Sequence, residues 1–305
     1  MKSRWKIWLA AVLLPLASCI DFDTQTLVYR HYPASDVLVM FQNYEGIYGE
    51  GKADGLAQKE IDQLTSVFEE SRTFFFSNWI LEFNAAKVRA ELTQLRAGNN
   101  ADIAPAIRKA KIVLLALLVE NVAIQSGPFY LNAAGRPSGV QRITVRQISK
   151  IITAANVLLR EEILAKPEPP VDVFDKALLE HARAKRDFIA LNGQRLEVHL
   201  PASWNVIWAT LNGENKTLLE FIPAVLAGGF EFDVRHNRVT VAAGRADANA
   251  TTLRFSIPDS KYQPNAAGFL EEKYGLQKQF DPARAQREFF AESDRQYTKR
   301  SPAKP

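Results

Sequence analysis

Gly46-Ile-Tyr-Gly-Glu-Gly51-Lys52 fits the first seven positions of a phosphate-cradling glycine loop, and its surroundings read as a strand before and a helix after. The eighth residue is Ala53, which has no hydroxyl for the Mg²⁺ that such a loop needs. The expected role is a strand-to-helix turn. His31, His181, His199 and His236 lie far apart and none pairs with another His or Cys at ligand spacing. His181 shares a stripe with Phe174, Leu178 and Phe188 and reads as a partly buried helix histidine; His199 belongs to the polar face of a strand and His236 to a turn. Asp247-Ala-Asn249-Ala-Thr251 offers oxygens at alternate positions, as a calcium loop does, but lacks the following glycine and the distal glutamate. Glu231 and Asp233 share a strand face with Arg235, two carboxylates side by side as glycoside hydrolysis would want. Phe230, Phe232 and Val234 fill the other face, which is the alternation of any half-buried strand. No Gly-x-Ser-x-Gly nucleophile setting occurs. The motifs therefore assign no catalytic residue, no cofactor and no metal.

One cysteine carries the clearest chemical signal. Lys2, Arg4 and Lys6 open the chain, and residues 7–16 form an apolar stretch too short to span about 30 Å of hydrocarbon. Leu16-Ala17-Ser18-Cys19 follows, and this run resembles the lipobox of bacterial lipoproteins, an apolar residue and two small ones ahead of the cysteine. The resemblance implies that residues 1–18 are a signal peptide and that Cys19 becomes the acylated first residue of the mature protein. Cys19 is the only cysteine in 305 residues, so no thiol is left for a disulfide. The family's sorting pattern implies the outer membrane, where the cell has one, because Ile20 rather than Asp follows the cysteine. Otherwise the anchor would lie on the outer face of the plasma membrane. Without Lys2, Arg4 and Lys6 the 38 basic residues become 35 against 34 acidic ones, and the formal charge falls from +4 to +1. Near-neutrality gives no electrostatic reason to expect nucleic acid as a partner.

With 47% apolar and 24% charged residues, the mature chain suits an ordinary globular body. Its patterning predicts an α+β fold of antiparallel hairpins and small sheets packed with several amphipathic helices. Residues 26–32 and 36–44 read as a hairpin, and 46–55 as a glycine-rich turn. Ile61, Leu64, Phe68, Phe75, Trp79 and Phe83 fall at helical spacing, which predicts one long or two consecutive helices over 56–96, stopped at 97–100. The apolar run 112–119 is ambiguous between buried helix and buried strand. A second hairpin joins 122–131 to 140–145, and an amphipathic helix is expected over 144–164. Three prolines within 166–170 mark a candidate boundary or a rigid connector. A helix over 172–191 closed by Asn192-Gly193, then strands at 195–200, 230–234, 238–241 and 252–257, complete the pattern. The expected organisation is an N-terminal region 19–165, a C-terminal region 171–258 that could be one domain with it, and a polar tail 259–305, partly disordered.

The densest aromatic stretch, residues 73–83, is expected as a core helix face. Phe76 and Ile80 add a second row there, with 112–119 as cover. The reading that follows is a membrane-anchored envelope lipoprotein, a non-catalytic binding or assembly component, with the membrane as partner through Cys19 and an envelope protein or glycan as a further one. The rival is an envelope hydrolase whose site assembles from distant residues.

Overall fold

The computed structural model describes residues 20–49, 55–69, 72–75, 81–98, 103–166, 173–202, 228–235, 238–256 and 262–298. The protein is α+β, with antiparallel sheets and packed helices as its pattern predicts. Its centre is a five-stranded sheet of order β11-β1-β2-β6-β5. β1 (Ile20–Tyr32) and β2 (Val37–Gly49) form a long hairpin, β5 (Val122–Leu131) and β6 (Pro137–Arg146) a second, and β11 (Thr251–Ser256) pairs with β1 at one edge.

Both faces of this sheet are covered, because β1 and β2 carry apolar residues at odd and even positions alike. On one face Val28, Val39, Phe41 and Val140 pack against α7 (Pro282–Tyr297) through Ala285, Phe290 and Tyr297. On the other, Leu38, Met40, Ile143 and Val145 meet α3 (Pro105–Asn121) and α4 (Ile148–Leu164). Each fully buried aliphatic among them, such as Val39, Val140 and Ile143, contributes roughly 1.5 to 3 kcal/mol. The ambiguous run 112–119 lies within α3, opened by Pro105 at its first turn. It is apolar all round because α4 lies on one side and Leu92 and Leu95 of α2 (Ala85–Ala97) on another. α2 begins at Asn84, whose side chain accepts from the Lys87 N–H, and ends at Gly98 with φ +85°. At the far end of the β1–β2 hairpin, Asp36 accepts the Ser149 N–H at 2.9 Å and so caps α4 from outside the helix.

A four-stranded sheet, β7 (Ile189–Asn192), β8 (Arg195–Leu200), β10 (Arg238–Ala243) and β9 (Phe230–Arg235) in that order, packs on α5 (Val173–Arg183) and the end of α4. It is fastened to β1 by hydrogen bonds. The Gln194 side chain accepts the His31 N–H and donates to the His31 carbonyl, both at 2.7 Å, in imitation of a strand pair. The Tyr29 hydroxyl reaches the Gln194 carbonyl at 2.7 Å.

Several expectations are corrected. Of the glycine-rich turn expected over 46–55, Gly46 to Gly49 lie inside β2, and residues 50–54 lie outside the described residues. The continuous helical reading over 56–96 fails: α1 (Gln58–Glu69) and α2 are separated by the hairpin β3 (Arg72–Phe75) and β4 (Leu81–Asn84). The stretch 73–83 is β-branched and aromatic at the two strands, which favours strand over helix once a partner is available. The side chains of Phe75, Phe76, Trp79 and Ile80 lie outside the described residues. The helix over 172–191 ends at Arg183, Asn192 closes β7, and Gly193-Gln194 is the turn of the β7–β8 hairpin, with Gly193 at φ +55°. The segment expected as a polar tail forms α6 (Ala267–Tyr274) and α7 across 267–297; residues 299–305 lie outside the described residues.

Candidate functional site

α1, the middle of β5 and α6 meet around an open cleft of about 510 Å³. α1 brings Phe68 and Glu69 on its last turn. β5 brings Gly127 to Phe129, where the register against β6 shifts because Pro128 has no N–H to give the ladder and Gly127 takes φ +91°. α6 brings Glu271 and Tyr274, and the chain beyond it runs beside β5, with the Gln277 N–H on the Phe129 carbonyl at 3.0 Å. Three rings make the floor: Phe68 lies 4.0 Å from Phe129, and Tyr274 lies 5.3 Å from each. Phe129 is buried and belongs to the apolar cluster that holds Ile20, Phe22 and Ile47. The rim is charged. Lys273 pairs with Glu69 at 2.9 Å and stands 5.3 Å from the Tyr274 ring centroid, and the Glu69 carboxylate holds the Lys273 ammonium above its ordinary value. The Ser126 hydroxyl, beside the β5 bulge, donates to the Val67 carbonyl at 3.0 Å and accepts from Gln141 Nε2 at 2.9 Å. Its proton is committed to a backbone carbonyl, not to a base that could activate it. An aromatic floor under a polar rim is chemistry for binding a flat or aliphatic group.

Behind the cleft a row of buried amides crosses the central sheet. Gln25 of β1, Gln42 of β2 and Gln141 of β6 are at most 1% exposed. Gln25 Nε2 donates to Gln42 Oε1 at 3.2 Å, and Gln141 Nε2 also donates to the Arg72 carbonyl at 2.8 Å. The Tyr44 phenol is the hub, within reach of Gln42 Oε1, of Gln141 Oε1 at 2.8 Å and of Thr73 Oγ1 at 3.4 Å. β3 thus lies across this row and satisfies it. Its role is to hold the β3–β4 hairpin against the sheet.

The residues singled out by motif are dispersed. In the phosphate-loop look-alike, Gly46 to Gly49 are strand, while Gly51, Lys52 and Ala53 lie outside the described residues. Gly46 has φ +68° and faces Asp23, which pairs with Arg136. His31 Nδ1 meets the Gly193 carbonyl at 2.8 Å. His181, expected as partly buried, is buried, with its ring 4.5 Å from that of Phe188, and burial pushes its pKa down. His199 lies 3.2 Å from Thr240 Oγ1 and is likewise pushed down by burial, with Glu197 opposing. His236 lies outside the described residues. Among those residues no group of three or more His, Cys, Asp or Glu comes together as metal ligands. Glu231 pairs with Arg195 at 2.8 Å and Asp233 with Arg235 at 3.1 Å, so these carboxylates are ion-paired neighbours on a strand. Asp247 pairs with Arg245 at 3.2 Å, and Thr251 opens β11. Cys19 lies outside the described residues, and among those described no helix is long and apolar enough to cross a membrane.

Sequence reasoning missed both the cleft and the glutamine row. The cleft is built from rings more than 60 positions apart, the row joins three strands of the central sheet, and an isolated glutamine in a strand carries no signal of burial. No protein family, no curated protein and no solved structure matches the chain.

Proposed function

We propose that the protein is a lipid-tethered component of a bacterial cell envelope, held through Cys19, that binds or assembles with an envelope protein or glycan and does no catalysis. Support for the tether is the run Leu16-Ala17-Ser18-Cys19 and the absence of any second cysteine. The following Ile20 favours the outer membrane where the cell has one. Support for binding is the cleft, whose floor of Phe68, Phe129 and Tyr274 suits the face of a sugar ring or an apolar side chain. The rival is an envelope hydrolase whose site assembles from distant residues, and the commitment of the Ser126 proton to the Val67 carbonyl weighs against one form of it, a serine nucleophile in this cleft.

Two measurements test this. Metabolic labelling with a palmitate analogue should mark the wild type and leave Cys19→Ala unmarked; equal labelling would remove the tether. A photo-reactive residue replacing Gln277, exposed at the cleft, should form a discrete adduct in living cells, while one replacing Lys150 on α4 should not. An adduct from Lys150 alone would move the binding surface elsewhere.

A further inference from the structure

Residue 20 is already inside the fold. Ile20 is 2% exposed, its N–H donates to Gln63 Oε1 at 3.1 Å, and it pairs across the ladder with Gly49. Gly49 is in turn closed by Asn265, whose side chain accepts its N–H at 2.9 Å and donates to its carbonyl at 3.0 Å. An extended spacer adds about 3.3 to 3.6 Å per residue, and here one peptide bond separates Cys19 from a strand of the central sheet. We propose that the Ile20 end of the molecule, flanked by α1 and the turn Pro264–Ala266, seats directly on the lipid headgroups. β1 then stands as a post that carries the rest of the fold outward. This rests on the lipid anchor proposed above.

The surface at that end suits headgroups. Gln58, Lys59 and Asp62 are exposed on α1 beside Gln63, so the contact is polar and lies on the bilayer without entering it. The post also sets heights. Thirteen residues of β1 at about 3.3 Å each reach roughly 40 Å from Ile20 to Tyr32. The four-stranded sheet is fastened at Tyr29 and His31, toward the far end. α4 begins beside Asp36 at the hairpin tip. The strand registers set Phe129 level with Gln25 and Ser126 level with Leu27, so the cleft lies about midway up the post. The cleft therefore stands above the headgroups, and partners deeper in the envelope meet the four-stranded sheet.

The single cysteine makes the test direct, since acylation blocks Cys19 and any introduced cysteine is the one site for a thiol dye. Full-length lipidated Lys59→Cys and Lys150→Cys proteins are labelled and placed in vesicles of phosphatidylethanolamine and phosphatidylglycerol that carry a headgroup-linked acceptor dye. Energy transfer from position 59 should exceed that from position 150 about threefold, as a separation approaching the length of the post implies. A ten-residue Gly-Ser insert after Cys19, with a reach of about 17 Å, should shrink that ratio toward one while the protein still floats with the vesicles. Equal transfer from both positions in protein that floats, or a ratio unmoved by the insert, overturns the seating and leaves the anchor intact. Wild type that floats no better than Cys19→Ala overturns the anchor itself, and the seating with it.

Discussion

Gly46 stands so close to Asp23 that a Cβ built on it would lie 2.2 Å from the carboxylate Oδ2. The backbone there has φ +68°, a region that L side chains reach at a cost of about 1 to 2 kcal/mol. Gly135 has nearly the same φ, +70°, with nothing within 4 Å of its added Cβ. Gly46→Ala should therefore lose more than about 2 kcal/mol and Gly135→Ala about 1 kcal/mol. Urea unfolding of the soluble body decides it, and equal losses would refute the role of the Asp23 contact. A glycine used in this way needs no phosphate to explain it, so titration with Mg-ATP should release no saturable heat.

Tyr44 separates the two functions of a buried aromatic. Its ring packs on Phe22 at 5.0 Å, while its hydroxyl serves Gln42 and Gln141. Tyr44→Phe keeps the ring and strands a buried amide oxygen, a change that costs about 1 to 3 kcal/mol. A loss under about 0.5 kcal/mol, the usual surface value, would mean that the amide row finds other partners.

His181 sets an acid limit. Burial lowers its pKa; the hydrogen bond to the Asp187 carbonyl opposes this, and the charges of Arg186, His199 and Arg238 add to it. The unfolded imidazole keeps an ordinary value near 6.5. Between the depressed value and about 6.5 the unfolded chain binds more protons, so stability is full above that window and is lost as pH falls through it. His199, lowered in the same direction, should deepen the slope. Unfolding free energy measured from pH 7.5 down to 5 should fall below about 6.5. The fall should be shallower in His181→Gln; an unchanged slope would assign it to other groups.

The β5–β6 hairpin and strands β8 to β10 were legible because period-2 alternation and turn residues agree there. Local pattern failed where a distant partner decides. Phe75 and Phe83 keep helical spacing with Phe68, yet their backbones pair in β3 and β4, because the Gln141 amide, donating to the Arg72 carbonyl, and the Tyr44 hub hold β3 across about 70 and 30 positions of sequence. Asn192-Gly193 reads equally as a helix stop and a hairpin turn, and only β8 settles which. The cleft was illegible for the same reason, since Phe68, Phe129 and Tyr274 come from three elements.

The last helix tests how far the polar appearance of a segment can mislead. α7 reads as charged, yet Phe290 is 5% exposed against Val39 and Phe41. Arg30 Nη1 lies 2.6 Å from both oxygens of Asp294, the Tyr32 hydroxyl donates to the same carboxylate at 2.7 Å, and the Arg30 guanidinium sits 4.9 Å over the Phe290 ring. Burial pulls the Asp294 pKa upward, but the bonds from Arg30 and Tyr32 prevail and hold it below its ordinary value. The Asp294 side chain is 46% exposed, so solvent screens the pair and Asp294→Ala should cost only about 1 kcal/mol. Phe290→Ala opens a cavity under the sheet and should cost about 3 to 5 kcal/mol. The order of the two losses in urea unfolding is the discriminating result. Phe290 costing less than Asp294 would make the ion pair the fastener, and losses within about 0.5 kcal/mol for both would return α7 to the status of a dispensable tail.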